Sequence, residues 1–458
     1  MINKRVAGAE KFRSLMLDAH DYIWRNPETG YREVKTSAYM EKAFRDLGYE
    51  LTMAGDIPGF YTVIDTGRPG PELLIMGELD SLLCAEHPET DPETGAVHCC
   101  GHHAQCAALL GIAAVLKQPG MLDGLCGRIR LCAVPAEELI EIEYRSELRR
   151  QGRIHCMGGK SEFLYRGYFD GVDLAFMVHT TQGTHASATL GSVGCIAKRV
   201  VYQGVSSHAG GSPWSGVNAL YAAMQGLSAI NAVRETFHDS DLIRVHPIIT
   251  KGGSAVNAIP DQVIIESYVR GASFDAMREA NMRVNRAVCG AALSLGANVD
   301  IQDKPGYAPL VNSEGMIDLA RDAAAYVPEL PFRMQERISS GSTDMGDLSC
   351  IMPVIHPYCP GAAGRSHGAD YRITDRDLAC VASARWQLAM LSLLLENGAA
   401  RAWEIIARFK PVFPSKEAYF AYVDDINCEG QRIVYGENGE ATVRLDRPVP
   451  AKENANAI

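Results

Sequence analysis

Short, continuously apolar runs alternate with helical patterns along the first part of this 458-residue chain. Residues 73–79, 129–134 and 172–178 have the pattern of buried strands, and residues 104–116 have the pattern of a helix between two of them. Strands that alternate with helices along a sequence usually pair in parallel, with the helices covering the sheet. The chain is therefore predicted to contain an α/β fold with a mostly parallel sheet and flanking helices.

A different order of elements begins near residue 192. The patterns predict a strand at 195–202, a helix at 217–237, strands at 243–250 and 262–270, a helix at 274–295 and a strand at 297–301. This β-α-β-β-α-β order is the ferredoxin-like arrangement. The apolar face of the first helix is expected to consist of Leu220, Met224, Leu227 and Ile230. We expect one domain in two parts (1–191 and 305–398), an inserted α+β domain (192–304) and a C-terminal extension (399–458).

Charge and composition exclude several kinds of partner. A net charge of −11 leaves no basic stripe that could neutralise phosphates, so no nucleic-acid partner is expected. No apolar run approaches the ~20 residues that cross a bilayer, and the N-terminus has no signal-peptide core, so no membrane partner is expected. The 13 cysteines lack the spacing of a disulfide framework, which favours a reducing, cytoplasmic location.

Residues 98–103, His-Cys-Cys-Gly-His-His, concentrate thiol and imidazole groups in one short segment. Thiolate and imidazole are the ligands that hold zinc-like divalent ions. Acidic residues follow two of the predicted strands, at 78–80 and 137–138, and His179 follows a third. Ligands of open α/β sheets bind at the carboxyl ends of the strands, so these segments are expected to converge on one site.

The adjacent residues Glu137 and Glu138 have two interpretations. One carboxylate binds a metal while its neighbour faces a metal-bound water, whose pKa the ion lowers toward ~7. Alternatively, the pair occupies the first turn of a helix after Pro135, where acids interact favourably with the helix dipole. The dipeptide alone favours the helix, and a single histidine is more often structural than functional. The joint pattern favours the metal.

Several ordered motifs resemble one family. They are His98-x-Cys100-Gly101-His102, Pro135-Ala136-Glu137-Glu138, the segment 207–219 around Ser-His-Ala, and Gly341-Ser-Thr-Asp-Met-Gly-Asp347. The chain resembles, from about residue 77 to residue 395, the co-catalytic metallo-amidohydrolases that include aminoacylases, carboxypeptidases and hippurate hydrolases. The most similar branch holds auxin-conjugate (indole-acetyl-amino-acid) hydrolases, aminobenzoyl-glutamate hydrolase subunits and a mammalian dipeptidase that cleaves before basic residues.

The resemblance implies a zinc-exopeptidase-like catalytic domain that holds two divalent ions per subunit. Zinc is the first expectation, and manganese, cobalt or nickel are alternatives. The positions that match the family's metal ligands are Cys100, His102, Glu138, His179 and His367. Glu137 matches its general base, and Asp80 matches a carboxylate that orients a ligand histidine.

In the inserted domain, which serves the family as a lid and dimer contact, His208 matches the residue that polarises the scissile carbonyl. It often acts in the site of the other subunit, so a homodimer is expected. Asn257 and Arg270 match groups that bind the substrate carboxylate, which suits the two-pronged guanidinium of arginine. The resemblance thus implies hydrolysis of an N-acyl amino acid, an aminobenzoyl-glutamate-like conjugate or a dipeptide with a free carboxylate.

The chain departs from the family pattern in two places. His103 stands where the family usually has Asp or Asn, and Gln105 where it often has His. His103 is therefore either a third local donor or a pocket residue. Residues 141–153 form an insertion rich in Glu and Arg, which either shapes specificity or, as is more usual for a charge run, forms a solvated helical face.

Two other functions are compatible with parts of the pattern. Cys99 or Cys100 could act as a covalent nucleophile with a nearby histidine as base, but this leaves Glu137, Glu138 and His367 without a role. A non-catalytic relative could keep the fold and the metal for binding or assembly. The presence of all five ligand positions and the base weighs against that alternative.

Overall fold

The structure, a computed structural model, describes residues 1–445. Its α-helices are α1 (Ile2–Gly8), α2 (Arg13–Trp24), α3 (Val34–Asp46), α4 (His102–Leu116), α5 (Ile142–Arg150), α6 (Gly159–Tyr165), α7 (Ala219–Val233), α8 (Phe274–Ser294), α9 (Glu314–Ala324), α10 (Met345–Ser349), α11 (Ser383–Leu395), α12 (Ala400–Arg408) and α13 (Lys416–Asp424). Its strands are β1 (Thr52–Met53), β2 (Phe60–Asp65), β3 (Glu72–Glu78), β4 (Leu82–Leu83), β5 (Ala96–Val97), β6 (Arg128–Val134), β7 (Leu174–Phe176), β8 (His179–Thr181), β9 (Ala186–Ser192), β10 (Gly194–Gln203), β11 (Arg244–Val245), β12 (Ile248–Lys251), β13 (Gln262–Gly271), β14 (Asn298–Tyr307), β15 (Leu310–Val311), β16 (Phe332–Ser339), β17 (Val354–Ile355), β18 (Tyr358–Pro360), β19 (Ala362–Ala363), β20 (Arg372–Ile373), β21 (Cys428–Gln431), β22 (Ile433–Tyr435) and β23 (Ala441–Val443).

The described chain divides into two compact units. Unit 1 comprises residues 1–192, 310–339 and 343–419, and unit 2 comprises 193–309, 340–342 and the described residues from 420 onward. Strand β14 continues to Tyr307, past the predicted boundary at residue 304. The segment predicted as a C-terminal extension, 399–458, is divided between the units, because α12 belongs to unit 1 and β21 pairs with β14 in unit 2. Residues 446–458 of that segment lie outside the described residues.

The main sheet of unit 1 has six strands in the order β1-β2-β6-β3-β7-β17. The four strands from β6 to β17 are parallel, whereas β1 and β2 add an antiparallel edge. Every residue of β3 is buried, as expected for a central strand covered on both faces. A second sheet of five strands contains β15, β9, β18 and β8, with β16 pairing β9. The predicted α/β fold with a mostly parallel sheet is confirmed.

Helix α4 is buried along its whole length. It is apolar on all sides except at its first residues, as expected of a helix in the interior of a large domain. It packs against α2, α11 and the sheet strand β3. The N-terminus of α4, with His102 and His103, is therefore fixed beside the carboxyl end of β3.

One helix among the described residues, Asp377–Leu395, is long and apolar enough to cross a membrane. It consists of a π-helical turn (Asp377–Ala382) followed by α11. No apolar run of this length was expected from the sequence. In the structure 83% of its most apolar window is buried inside the protein, where Trp386 donates to the backbone oxygen of Ala320. Its surroundings are those of a core helix.

Unit 2 is built around an antiparallel sheet in the order β11-β13-β10-β14-β21, with β12 also pairing β13. The predicted β-α-β-β-α-β order is confirmed, with α7 and α8 as its helices. The single strand expected at 243–250 is two short strands, β11 and β12, separated by His246 and Pro247, because proline has no N–H to donate to a ladder.

The buried face of α7 differs from the prediction. The buried residues are Ala219, Ala222, Ala223, Gly226 and Ile230. Only Ile230 belongs to the predicted face, and Met224 is half exposed. At Gly226 an added Cβ would lie 2.0 Å from the hydroxyl of Tyr202, so the small side chains allow the close approach of helix and sheet. The small size of these side chains therefore determines which face of α7 packs against the sheet, and hydropathy alone did not predict that face.

Candidate metal centre

A tight turn before α4 carries Cys100 and His102. Between them Gly101 has φ +109°, and a Cβ there would lie 2.1 Å from the hydroxyl of Thr180, so only glycine fits. The backbone oxygen of Cys100 accepts hydrogen bonds from Thr180 (3.3 Å) and from the hydroxyl of Tyr371 (3.1 Å). The turn is thus fixed from the side of β8.

Cys100, His102 and His179 come together as one group of potential ligands. One donor atom from each lies within 4.8 Å of the other two. Cys100 Sγ is 3.3 Å from His179 Nε2. His179 follows β7 and His102 lies beside the end of β3, so this group forms at the carboxyl edge of the parallel strands, as the sequence predicted.

Both imidazoles in this group are oriented by contacts at Nδ1. His102 Nδ1 contacts the backbone oxygen (2.9 Å) and carboxylate Oδ1 (3.1 Å) of Asp80. His179 Nδ1 lies 2.8 Å from the backbone oxygen of Thr180. When Nδ1 donates to these oxygens, Nε2 carries a lone pair that can bind a metal. His102 Nε2 is buried and lies 3.2 Å from Glu78 Oε2, so a metal at this nitrogen would take the place of the proton between them.

Cys100, Glu138 and His367 form a second group, in which one donor atom from each residue again lies within 4.8 Å of the other two. His367 Nε2 lies 3.1 Å from Glu138 Oε1, although more than half of the histidine side chain is exposed. The backbone N–H of His367 donates to the oxygen of Cys99 at 2.9 Å, which attaches this loop to the Cys100 turn. The Cys100 thiol is therefore common to two donor groups, and the five predicted ligands all belong to one or both.

Glu137 belongs to a third group, with Glu78 and His102. Its Oε2 lies 3.9 Å from His102 Nε2. Burial, followed by the charges of Glu78 and Glu138, raises the pKa of Glu137 well above its ordinary value. A carboxylate with a raised pKa is a stronger base, and a general base works best with a pKa near the working pH. The structure thus brings Glu137 to the edge of the two ligand groups.

The electrostatics of the ligands follow from burial and mutual contact. Burial and the charge of Glu138 raise the pKa of the Cys100 thiol. Burial opposes ionisation of Glu138, but the charge of His367 and its hydrogen bond prevail and lower the pKa to about 2. Burial, then the charge of His102, lowers the pKa of His179. Burial opposes protonation of His102, but the charge of Glu78 prevails and raises the pKa of this imidazole well above its ordinary value. Glu138 and His179 are therefore ready as ligands at neutral pH, whereas a metal must displace protons from Cys100 and His102.

Sequence reasoning did not find a buried ion-pair triad beside this centre. Lys160 Nζ lies 2.5 Å from Glu78 Oε1 and 2.5 Å from Asp344 Oδ1, and all three side chains are fully buried. The Lys160 N–H also donates to Asp344 Oδ2 at 2.8 Å. Gln105, a departure from the family pattern, donates to the other oxygen of Glu78 at 2.8 Å. In the sequence Lys160 stands out only because it directly follows Gly158 and Gly159, and this position does not indicate which residues it contacts.

His103 has neither of its ring nitrogens hydrogen-bonded. Its ring packs 4.6 Å from that of His20, 5.3 Å from that of His98 and 5.1 Å from that of Trp24, measured between centroids. No compact group of potential ligands among the described residues includes His103. The residue is therefore part of a buried aromatic cluster behind the ligand turn.

The substrate-side residues predicted from the sequence lie in unit 2. His208 is exposed, and its Nδ1 accepts from the N–H groups of Gly210 (3.1 Å) and Gly211 (2.9 Å). The proton of the neutral ring is therefore on Nε2, which is free to donate to a carbonyl oxygen. The Asn257 backbone oxygen accepts from Ala209, so the structure brings the Asn257 and His208 loops together.

Arg270 lies near the end of β13. Its Nη1 donates to Ser342 Oγ at 3.1 Å, and its guanidinium carbon is 5.4 Å from the centre of the Tyr268 ring. The side chain is partly exposed. A guanidinium with donors left over can take a carboxylate as a further partner.

The donor set has the chemistry of a two-ion site. It combines one thiol, imidazole nitrogens and a carboxylate, which are ligands of zinc and its neighbours. The sequence pattern of peptidase family M20/M25/M40 matches residues 74–390. The chain belongs to this family.

Two relatives illustrate the range of this peptidase family. The chain is 27% identical over 364 residues to an indole-3-acetyl-aspartic acid hydrolase of Enterobacter agglomerans, covering 68% of this chain and 78% of the relative. It is 29% identical to a Xaa-Arg dipeptidase of Mus musculus, covering 73% and 74%. A solved Bacillus subtilis structure, described as a dinuclear metal-binding peptidase of the M20 family, aligns with a TM-score of 0.62 at 20% identity, covering 84% and 99%. The resemblance drawn from the motifs is confirmed.

Proposed function

We propose that this member of the M20 family is a metal-dependent amidohydrolase. Its substrate is an N-acyl amino acid, an aminobenzoyl-glutamate-like conjugate or a dipeptide with a free carboxylate. The observation that carries the proposal is the Cys100 thiol, which is shared by two ligand groups with Glu137 at their edge. The substrates named for the two relatives, an indole-acetyl amino acid and a dipeptide, support an amide bond next to a carboxylate.

Each ligand group is assigned one divalent ion. Cys100, His102 and His179 would hold the first, and Cys100, Glu138 and His367 would hold the second, with the Cys100 thiol available to both groups. Asp80 keeps His102 oriented through the contacts at Nδ1. Bound in this way, the ions supply Lewis-acid polarisation of the amide oxygen and a water of lowered pKa.

Glu137 carries the proton in this mechanism. Its carboxylate takes a proton from the attacking water and delivers it to the leaving amine, so that the base of one step is the acid of the next. The raised pKa of Glu137 suits both steps, because it makes the carboxylate a stronger base than an ordinary glutamate and lets the acid form persist to higher pH. Removal of this group is expected to stop turnover without removing the ligands.

Groups in unit 2 are assigned to the substrate. His208 donates from Nε2 to the scissile carbonyl oxygen, where negative charge develops. This role is supported by the two backbone N–H groups that fix its Nδ1 as an acceptor. Arg270 and Asn257 bind the substrate carboxylate. The partly exposed guanidinium, with Nη1 on Ser342, supports this assignment.

The thiol groups of the chain bear on the resident metal and on the cellular location. Zinc is the resident ion because a thiolate is among the ligands, with manganese, cobalt or nickel as alternatives. The location is cytoplasmic, which is supported by the free state of all 13 cysteines. The chain acts without a nucleic-acid or membrane partner.

A homodimer forms through unit 2. Strand β12 at the sheet edge is exposed along its length, including Ile248. Tyr221 and Met224 are exposed on α7. An open strand and exposed apolar side chains are what a second copy would cover. Ultracentrifugation tests this assembly. Met224→Glu is expected to shift a dimer toward monomer, whereas a wild-type monomer would contradict it.

The activity is tested on a panel of N-acetyl, N-benzoyl, indole-acetyl and aminobenzoyl amino acids with dipeptides ending in acidic, basic or apolar residues. Cleavage is measured after chelation and again after zinc, manganese, cobalt or nickel is restored. We expect metal-dependent cleavage that Glu137→Gln abolishes. Full metal occupancy without cleavage of any substrate would favour a binding protein, and activity after complete metal removal would contradict the proposal.

A further inference from the structure

The backbone directly before the two glutamates is held in an unusual conformation. Ala136 has φ +59°, in the left-handed region that residues with a Cβ rarely adopt. Such a conformation persists only where the surrounding structure holds it in place. Ala136 is buried, and it sets the direction in which Glu137 and Glu138 leave the end of β6.

Two fully buried ionisable side chains, Glu33 and Arg145, hold this turn. The Glu33 carboxylate accepts from the Ala136 N–H at 2.7 Å. The Arg145 guanidinium donates from Nη1 to the backbone oxygens of Met157 (2.7 Å) and Ala136 (3.3 Å). Its Nη2 donates to the backbone oxygen of Glu138. The N–H and the carbonyl of Ala136, and the carbonyl two residues later, are thus bound by one carboxylate and one guanidinium.

Arg145 comes from the charged insertion at 141–153. The exposed residues of α5 fit the solvated helical face expected there, but Arg145 is only 1% exposed. It occupies closely packed space, because a Cβ added at Gly30 would lie 2.3 Å from Arg145 Nη2 and 2.9 Å from the Ala136 Cα. The ring of Tyr31 lies 5.5 Å from the guanidinium carbon. One side chain of the insertion, that of Arg145, is therefore buried against the turn that carries Ala136 and Glu138.

We infer that Arg145 and Glu33 are positioning residues that hold the Ala136–Glu138 turn so that Glu137 faces the substrate and Glu138 faces the metal. The inference rests on the proposed function for what the two glutamates do, and on the hydrogen bonds for how they are held. A lysine cannot replace the arginine, because its single ammonium lacks the planar fork that reaches several carbonyls at once. Neither residue belongs to a group of potential metal ligands among the described residues.

The test compares Arg145→Lys, Arg145→Met and the double variant Glu33→Gln/Arg145→Met with wild type. The double variant removes both ionisable groups that hold the turn, so it shows the effect of losing both supports together. Arg5→Met is the matched control. Arg5 is also fully buried in unit 1 and donates to backbone oxygens, those of Met121 and Asp123, both at 2.6 Å, but it contacts none of the candidate ligands.

The readouts are the absorption spectrum of the cobalt-substituted protein, the dissociation constant for cobalt in competition with a chelator, kcat and KM. We expect each Arg145 variant to alter the cobalt spectrum, to weaken cobalt binding tenfold or more, and to lower kcat tenfold or more at a KM within about threefold of wild type. Arg5→Met is expected to lower Tm while leaving the spectrum, the cobalt affinity and kcat unchanged.

Arg145 variants with wild-type spectrum, cobalt affinity and kcat would overturn the inference while leaving the proposed function in place. The same changes in Arg5→Met would also overturn it, since they would reflect general destabilisation. A wild-type protein that binds cobalt but cleaves no substrate contradicts the proposed function alone, and the spectrum and the cobalt affinity then decide the inference. A wild-type protein that binds no cobalt overturns both.

Discussion

Asp80 and His102 are joined twice, because His102 Nδ1 lies 2.9 Å from the backbone oxygen of Asp80 and 3.1 Å from its carboxylate Oδ1. The other carboxylate oxygen, Oδ2, accepts from the backbone N–H of Glu138 at 2.8 Å. One fully buried carboxylate therefore orients a candidate ligand of each ion group. This arrangement couples the segment after β3 to the segment after β6.

Asp80→Asn is expected to weaken metal binding by about 10–100-fold, the usual effect of removing a group that orients a ligand. The amide nitrogen cannot accept a hydrogen bond, so one of the two contacts is lost. Competition with a chelator measures the change. Asp303→Asn, which alters a buried carboxylate paired with Lys198 in unit 2, is the control and should leave metal affinity unchanged. Equal losses in both variants would contradict the role of Asp80.

Glu137→Gln is expected to lower kcat by about 10²–10⁴-fold while both ions stay bound, because it removes the proton acceptor and none of the ligands. In wild type, protonation of Glu137 removes the base, and its raised pKa moves the acidic limb of the kcat/KM profile upward from the ordinary glutamate value. Kinetics across pH with metal analysis test this. Loss of metal from Glu137→Gln would instead make it a ligand.

Cys100→Ser and Cys99→Ser are a matched pair. The Cys100 thiol belongs to two ligand groups, whereas Cys99 belongs to none among the described residues. Cys100→Ser is expected to weaken the binding of both ions and to remove the thiolate-to-cobalt absorption of the cobalt protein. Cys99→Ser is expected to retain the metal affinity and the absorption of wild type. If Cys99 acts as a nucleophile instead, Cys99→Ser would lose activity and Cys100→Ser would keep its metal.

Lys160→Met is expected to destabilise the protein by about 3–5 kcal/mol, because it leaves Glu78 and Asp344 buried without their shared cation. Adding Asp344→Asn removes one of the unpaired charges and should recover part of the loss. Denaturant unfolding of the metal-free protein measures both variants. A double variant less stable than Lys160→Met would contradict this account of the triad.

The stability of the metal-free protein is expected to fall as the pH falls below ~6.5, the ordinary histidine pKa. Burial, then the charge of His102, lowers the pKa of His98 to about 3, and burial, then the charge of His179, lowers that of His356 to about 3. Between pH 3 and 6.5 the unfolded chain binds protons that the folded chain does not. Stability therefore rises with pH there, by up to ~1.4 kcal/mol per pH unit for each histidine.

Thermal unfolding as a function of pH measures this linkage. Replacement of His356 by Leu should make the curve shallower over that range, whereas His238→Gln, at an exposed position, should run parallel to wild type. Parallel curves for all three proteins would contradict the contribution of His356.

The sequence determined the order of strands and helices, because buried strands are continuously apolar and each is separated from the next by a helix. It also predicted convergence of the segments at 78–80 and 137–138 with His179, since the carboxyl ends of parallel strands meet at one edge. Motif spacing added His367, which lies on a loop far along the chain. These features depend on local pattern and on the topology of parallel sheets.

Only the tertiary structure decided which side chains support the centre. Lys160 and Arg145 are ordinary charged residues in the sequence, and the charge run around Arg145 favours exposure, yet both side chains are buried. Lys160 pairs with Glu78 and Asp344, which are distant in the chain. The buried face of α7 was likewise set by side-chain size against Tyr202. Pairing across long sequence separations depends on three-dimensional proximity, which hydrophobic periodicity does not encode. Periodicity predicts that a helix has an apolar face, whereas packing determines which residues are buried and which side chains they contact.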